Sequence, residues 1–182
     1  AKGDDDRAEA ENRKAIALNP NYATAYMRLA ALLLNNGRSG EALTYSTQGL
    51  DLDPLSSASI FSYARNLSAA GRFDEAITQY LTITELDPLR PNTYRDLAML
   101  NAYVRNDFVA AIPFAEKLVD LDPGAPYARC NLANLYFDLG DHAQVARVQH
   151  LAQKRFPKSA DVLAYSAWIR LVEGDAVGAE RF

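Results

Sequence analysis

Cysteine and histidine are almost absent, with one cysteine and two histidines in 182 residues. A single cysteine excludes an intrachain disulfide framework and any multi-cysteine zinc site. Two histidines cannot build a histidine-rich metal centre by themselves. No apolar run approaches the ~20 residues that a membrane span needs. The first residues, Ala1-Lys2-Gly3-Asp4-Asp5-Asp6, have no apolar core of the kind a signal peptide requires. Positive charge is not in excess. Nineteen Lys and Arg against 23 Asp and Glu leave a net charge of −4, so nothing predicts the basic patch that nucleic-acid binding favours. What remains is 49% hydrophobic and 23% charged, the composition of an ordered, soluble domain. Cytoplasm and periplasm are equally compatible with it.

Nine glycines and eight prolines are too few for a low-complexity chain, but their placement is regular. Pro20, Pro54, Pro88, Pro123 and Pro157 are 34, 34, 35 and 34 residues apart, and a fixed period of this length marks a repeat architecture. Ten residues after each comes alanine: Ala30, Ala64, Ala98, Ala133 and Ala167. Seventeen after come Gly37, Gly71, Gly140 and Gly174, with Gly3 one repeat earlier. The longer unit has Asn106 there, and asparagine is the best substitute for glycine in a left-handed conformation.

Each column has a mechanical reading. Tyr26, Leu29, Ala30 and Leu33 form an i, i+3, i+4, i+7 stripe, which predicts a helix with one face buried. The small residue in the stripe lets a second helix approach closely. Glycine closes the first helix with positive φ. Asp74, Asp107, Asp141 and Asp175 sit where the second helix starts and suit its N-terminus. Asn21, Ser56 and Ser159 are candidate caps of the next first helix, and Pro91 and Pro126 suit its first position. Pro113 lies inside the second helix of the long unit. It predicts a kink, or a start delayed to near Val109.

A helix-turn-helix of about 34 residues with these columns resembles the tetratricopeptide repeat. The match is clearest at Gly71-Arg72-Phe73-Asp74-Glu75-Ala76-Ile77-Thr78-Gln79-Tyr80, and again at Leu132, Ala133, Tyr136, Gly140 and Pro157. His142 and Val145 depart from the pattern. The resemblance implies an all-α, right-handed superhelical solenoid of about eleven helices in one domain, 1–182. Its parts would be a half repeat 1–20, full repeats 21–54, 55–88, 89–123 and 124–157, and a truncated repeat 158–182. Both ends lack an evident polar cap, with Trp168, Ile169 and Phe182 under-covered, so the chain reads as a piece of a longer, bacterial-type protein. Uncapped ends would also allow two copies to pair end to end.

In this family a second stripe of the first helices lines a concave groove. Carried over by position, it comprises Thr24, Met27, Arg28, Ala31 and Leu34; Ala58, Phe61, Ser62, Arg65 and Ser68; Asn92, Arg95, Asp96, Met99 and Ala102; Tyr127, Cys130, Asn131, Asn134 and Phe137; and Asp161, Ala164, Tyr165, Trp168 and Leu171. Tyr103 stands beside Ala102 and can reach in. The candidate binding residues are Arg65, Arg95, Met99, Tyr127, Asn131, Asn134, Tyr165 and Trp168. Arg, Tyr and Trp are the usual anchors of protein interfaces, and Asn can hold an extended peptide by its backbone amides. The alternative for the aromatics is closing gaps between repeats, and for Arg65, Arg95 and the two Asn a solvated polar face. The set that grips chaperone C-terminal carboxylates is incomplete. Asn131 fits and Arg95 can replace a lysine, but Met99, Asp161 and Tyr165 stand where Asn, Lys and Arg are needed.

Catalytic, cofactor and metal constellations are not apparent. His142 and His150 are eight residues apart, not the i, i+4 pair that converges on a metal. Asp4-Asp5-Asp6 is followed by no calcium-loop spacing. No phosphate loop or nucleophile elbow occurs, and Cys130 reads as an inert, buried thiol. Asn66-Leu67-Ser68 matches a glycosylation acceptor but falls inside a predicted helix. The chain is therefore expected to be a non-enzymatic scaffold for a protein or peptide partner. The alternatives are a regulatory or sensor region of a transcription regulator, or the substrate-recruiting region of a transferase.

Overall fold

The computed structural model describes residues 2–172 and Gly174. These form ten α-helices in chain order: α1 (Lys2–Leu18), α2 (Ala23–Asn35), α3 (Ser39–Leu52), α4 (Ser57–Ala69), α5 (Phe73–Leu86), α6 (Pro91–Met99), α7 (Phe108–Leu121), α8 (Pro126–Asp138), α9 (His142–Arg155) and α10 (Ala160–Val172). A five-residue π-helical turn, Leu100–Val104, extends α6. The fold is all-α and built of tandem helix-turn-helix repeats. The expected eleventh helix and Asp175 lie outside the described residues. The chain divides into two compact units, residues 1–89 and 90–182. In the first, α2 pairs with α3 and α4 with α5, and α1 lies against α2. In the second, α6 pairs with α7 and α8 with α9, and α10 packs on both α8 and α9.

The hairpins close as the glycine column predicts. Gly37, Gly71, Gly140 and Gly174 all have φ between 75° and 87°, and Asn106 has φ 55°. At each of the first three turns the residue after glycine donates its N–H five residues back, Arg38 to Leu33 O, Arg72 to Leu67 O and Asp141 to Tyr136 O, each at 2.9 Å. These bonds satisfy carbonyls that the helix end leaves open. Gly3 is different, for it lies inside α1. Four of the five column alanines are buried: Ala30 and Ala64 are 0% exposed, Ala133 1% and Ala98 7%, and Ala42, Ala76 and Val145 of the partner helices are buried as well. Ala98 shares a buried cluster with Ala111, while Ala167 is half-buried.

The expected caps form at some helix starts only. Asp107 and Asp141 accept from Ala110 N at 2.9 Å and Gln144 N at 3.1 Å, and Ser56 accepts from Ser59 N at 3.4 Å. Pro91 and Pro126 open α6 and α8. Asn21 is not a cap, because Tyr22 occupies that position, and Asp74 sits inside the first turn of α5 after Arg72.

Pro113 does not break its helix. α7 runs unbroken from Phe108 and starts two residues past Asn106, as α3 starts two past Gly37. The carbonyl that proline leaves without a donor belongs to Val109, which is exposed, as is Pro113, so water can satisfy it. The irregularity of the long unit lies one helix earlier. Arg105 N donates to Leu100 O, five residues back, and Asp107 N reaches six residues back to Asn101 O at 2.8 Å. The extra residue is thus absorbed as a π-turn, the usual form of a one-residue insertion in a helix.

Charged contacts attach α1, whose exposed face carries Asp4, Asp6, Arg7, Glu11 and Lys14. Arg13 binds Glu9 at 2.7 Å and the Tyr45 hydroxyl at 2.6 Å, and its guanidinium lies over the Tyr45 ring. Arg38 joins Glu9 to Glu41, each at 2.7 Å. The hydrogen bond from Arg13, with help from Arg38, holds the Glu9 carboxyl below its ordinary value, and Arg38 does the same to Glu41. A carboxyl with a depressed folded-state pKa stabilises above its unfolded value, and that stability is lost as pH falls through the folded one. Arg38→Ala should therefore lower the melting temperature by a few degrees at pH 7 and by less at pH 3, below the ordinary carboxyl range of about 4. Thermal melts followed by circular dichroism at both pH values check this.

Gly49 of α3 is a second fixed point. A Cβ there would meet Tyr26 Cβ at 3.2 Å and Met27 Cγ at 3.4 Å. Gly49→Ala should be nearly neutral, since a helix gains about 1 kcal/mol from the change and the tight contact opposes it. Gly49→Leu should cost about 1–3 kcal/mol by overpacking, measured by urea denaturation.

Candidate binding face

The second unit brings several of the candidate residues together. Arg95 and Met99 of α6 and Asn131 of α8 line one hollow of about 70 Å³, with Tyr103 of the π-turn. Its floor is apolar: Ala98, Ala115, Leu118 and Leu135, all buried. Met99 is 50% exposed and Tyr103 58%, so two large side chains stand at the rim over a greasy floor. Arg95 is not a free cation. Its Nη2 lies 2.9 Å from Asp96 Oδ1, and its Nε donates to the same oxygen at 3.0 Å.

The π-turn decides which residue lines the rim. Counted forward from Pro88, the groove position falls on Ala102, which is completely buried in the core with Ala111, Ala115 and Leu135. Counted back from the turn, Tyr103 stands three before Asn106, as Leu34, Ser68 and Phe137 stand three before Gly37, Gly71 and Gly140. The extra residue turns Ala102 inward and passes the groove position to Tyr103. The 35-residue spacing carries this signal when positions are counted back from Asn106. The floor residues belong to packing columns, which periodicity alone does not connect to a surface.

The remaining candidates are spread out. The Tyr165 and Trp168 rings of α10 lie tilted by 37° with centroids 5.6 Å apart, and Trp168 meets Phe137 edge-on at 5.1 Å. Tyr127 is half-buried against Tyr94, Leu118 and Ala128, and Asn134 is half-buried on α8. Arg65 is exposed on α4, in the other unit. Phe61 does not line a groove, for it is 9% exposed and meets the Tyr80 ring at 5.6 Å. His142 packs edge-on against Phe137 at 6.0 Å, in keeping with a packing role.

Two carboxylates colour this face. Burial raises the Tyr103 hydroxyl above its ordinary value and Asp138 adds to the effect. Burial likewise raises the Cys130 thiol, with Asp161 adding to it. Among the described residues no group of three or more His, Cys, Asp or Glu is placed to hold a metal ion, and no helix is long and apolar enough to cross a membrane.

Tetratricopeptide repeat models match residues 12–44 and 64–126, together just over half of the chain. The chain belongs to the tetratricopeptide repeat family. No curated protein sequence matches it. Among solved structures it is similar to PilF of Pseudomonas aeruginosa, with a TM-score of 0.80 at 20% identity over 98% of this chain and 82% of that one. It is also similar to the MamA protein, with 0.75 at 19% identity over 87% and 86%. YrrB, described as a tetratricopeptide repeat protein with an unusual peptide-binding site, matches with 0.70 at 17% identity over 92% and 86%. At these identities the likeness is one of fold.

The single cysteine allows a clean check of the face. Cys130 should react with Ellman's reagent with a midpoint above the ordinary thiol value of about 8.5, and Asp161→Asn should move that midpoint down. A midpoint unchanged by Asp161→Asn would remove the carboxylate from the thiol's surroundings.

Proposed function

We propose that the chain is a non-catalytic scaffold whose second unit binds an extended peptide or a partner segment on the face formed by α6, the π-turn, α8 and α10. Its family membership supports a protein-interaction role in general. The observation that carries the finer reading is the hollow: an apolar floor, two half-exposed large side chains, and the Asn131 amide at the rim. An apolar cavity with a few polar groups at its edge is the usual form of a small binding site. Aromatic and Arg anchors around such a pocket are where binding energy concentrates. The peptide-binding site described for YrrB agrees in kind. Arg65 would belong to a second contact on the first unit. The boundaries read from the prolines, one solenoid domain 1–182 with full repeats from 21 to 157, are part of this proposal.

A competing reading is that a second copy supplies the partner. α10 leaves Trp168 40% exposed, Leu171 56% and Val172 52%, whereas α1 presents charged residues outward. Pairing would then involve the α10 side.

A panel of extended synthetic peptides, read by fluorescence anisotropy, tests the proposal. Asn131→Ala and Met99→Ala should each weaken the peptides that bind by about tenfold, the range of an interface hot spot. Lys154→Ala on α9 should change nothing. Peptide binding indifferent to both rim variants, or no binding together with concentration-dependent dimers in light scattering, would replace the peptide reading with the second.

A further inference from the structure

The charge of this face narrows the partner's chemistry. Arg95, the cation lining the hollow, is already held by Asp96 at 2.9 Å. Asp138 and Asp161 have no such partner among the described residues. Asp138 follows Asn131 and Leu135 on α8 at i+7 and i+3, which puts it on their side of the helix, and Asp161 holds a position of the same stripe on α10. In keeping with this, Asp138 acts on Tyr103 and Asp161 on Cys130, the chain neighbour of Asn131. The floor offers no hydrogen-bonding side chain, because Ala98, Ala115, Leu118 and Leu135 can only pack against carbon. A small hollow lined this way suits an aliphatic group.

Resting on the peptide-binding reading above, we propose that this face recognises an extended, cationic segment of a partner protein. One aliphatic side chain sits in the hollow between α6, α7 and α8, and flanking lysine or arginine side chains lie toward Asp138 and Asp161. The exposed Tyr103 and Trp168 rings add to the preference, since aromatic faces attract cationic side chains. The π-turn is what makes the site particular to this unit, because it places a tyrosine rather than an alanine at the rim. An acidic tail is disfavoured on the same grounds, as its carboxylates would face two others. Opposite charge of this kind acts on specificity and association rate more than on raw affinity, so salt dependence accompanies it.

The test uses the full chain and three fluorescein-labelled peptides that share glycine–serine flanks. Their centres are lysine–leucine–lysine, glutamate–leucine–glutamate and lysine–alanine–lysine. The lysine–leucine–lysine peptide should bind at least tenfold tighter than either of the others, and its binding should slow the alkylation of Cys130. Asp138→Asn combined with Asp161→Asn should reduce the lysine-over-glutamate preference at least fivefold and leave the leucine-over-alanine preference in place. Ala115→Leu, which fills the hollow, should do the reverse. Should that variant not fold, the leucine and alanine peptides on the unaltered chain still measure the hollow. If the acidic peptide binds as tightly as the basic one and Asn131→Ala still weakens both, the charge assignment is overturned while the peptide-binding reading stands. If no peptide binds or protects Cys130, both are overturned. Dimerisation that protects Cys130 and excludes the peptides would give the face to a second copy and overturn the proposal as well.

Discussion

Everything in these hairpins depends on two helices crossing at a point where neither carries a large side chain. Ala30 and Ala42, like Ala64 and Ala76, are all without exposure, and Ala98 and Ala111 lie in one buried cluster. At such a crossing the backbones come close and the flanking Leu, Ile and Tyr residues interdigitate at the density of a protein interior. Gly49 carries the same constraint to its limit, since even a Cβ would press on Tyr26. Once the crossing is set, the first helix has one face committed to its partner and one left over, and the leftover face is where binding can be built.

The left-handed residue between the helices is the second constraint, and it acts on register. A glycine at φ near 76°, or Asn106 at φ 55°, fixes where the second helix starts relative to the last turn of the first. Positions are therefore best counted from the turn. In the 89–123 repeat this matters directly. The extra residue does not displace α7, with its Asp107 cap and exposed Pro113. It is taken up before the turn, because a π-helical widening keeps backbone hydrogen bonds that a break in α7 would forfeit. The consequence is functional, since the same widening buries Ala102 and presents Tyr103.

Electrostatics divide the work differently in the two units. Around α1, Arg13, Arg38, Glu9 and Glu41 form a mutually satisfied set, which supports structure. Around the hollow the balance is unequal, with Arg95 matched by Asp96 and two further carboxylates left to the surface. A matched set holds a helix in place; an unmatched one leaves charge for a partner to neutralise.

The amino-acid sequence alone determined the repeat. Five prolines in phase, a small residue ten positions on and a left-handed residue beyond it act locally, so helix type, hairpin closure, several caps and family could be read from spacing. Arg95, Met99 and Asn131 were legible as members of one stripe for the same reason. Tertiary structure decided which residues those members meet. The floor of the hollow comes from α7 and from the packing faces of α6 and α8, Phe61 was drawn into the core by Tyr80, and Tyr103 replaced Ala102. Each of these depends on how two helices pack, or on how one residue too many is absorbed between two fixed points. Linear periodicity holds no information on either, because it describes each helix as if it were alone and regular.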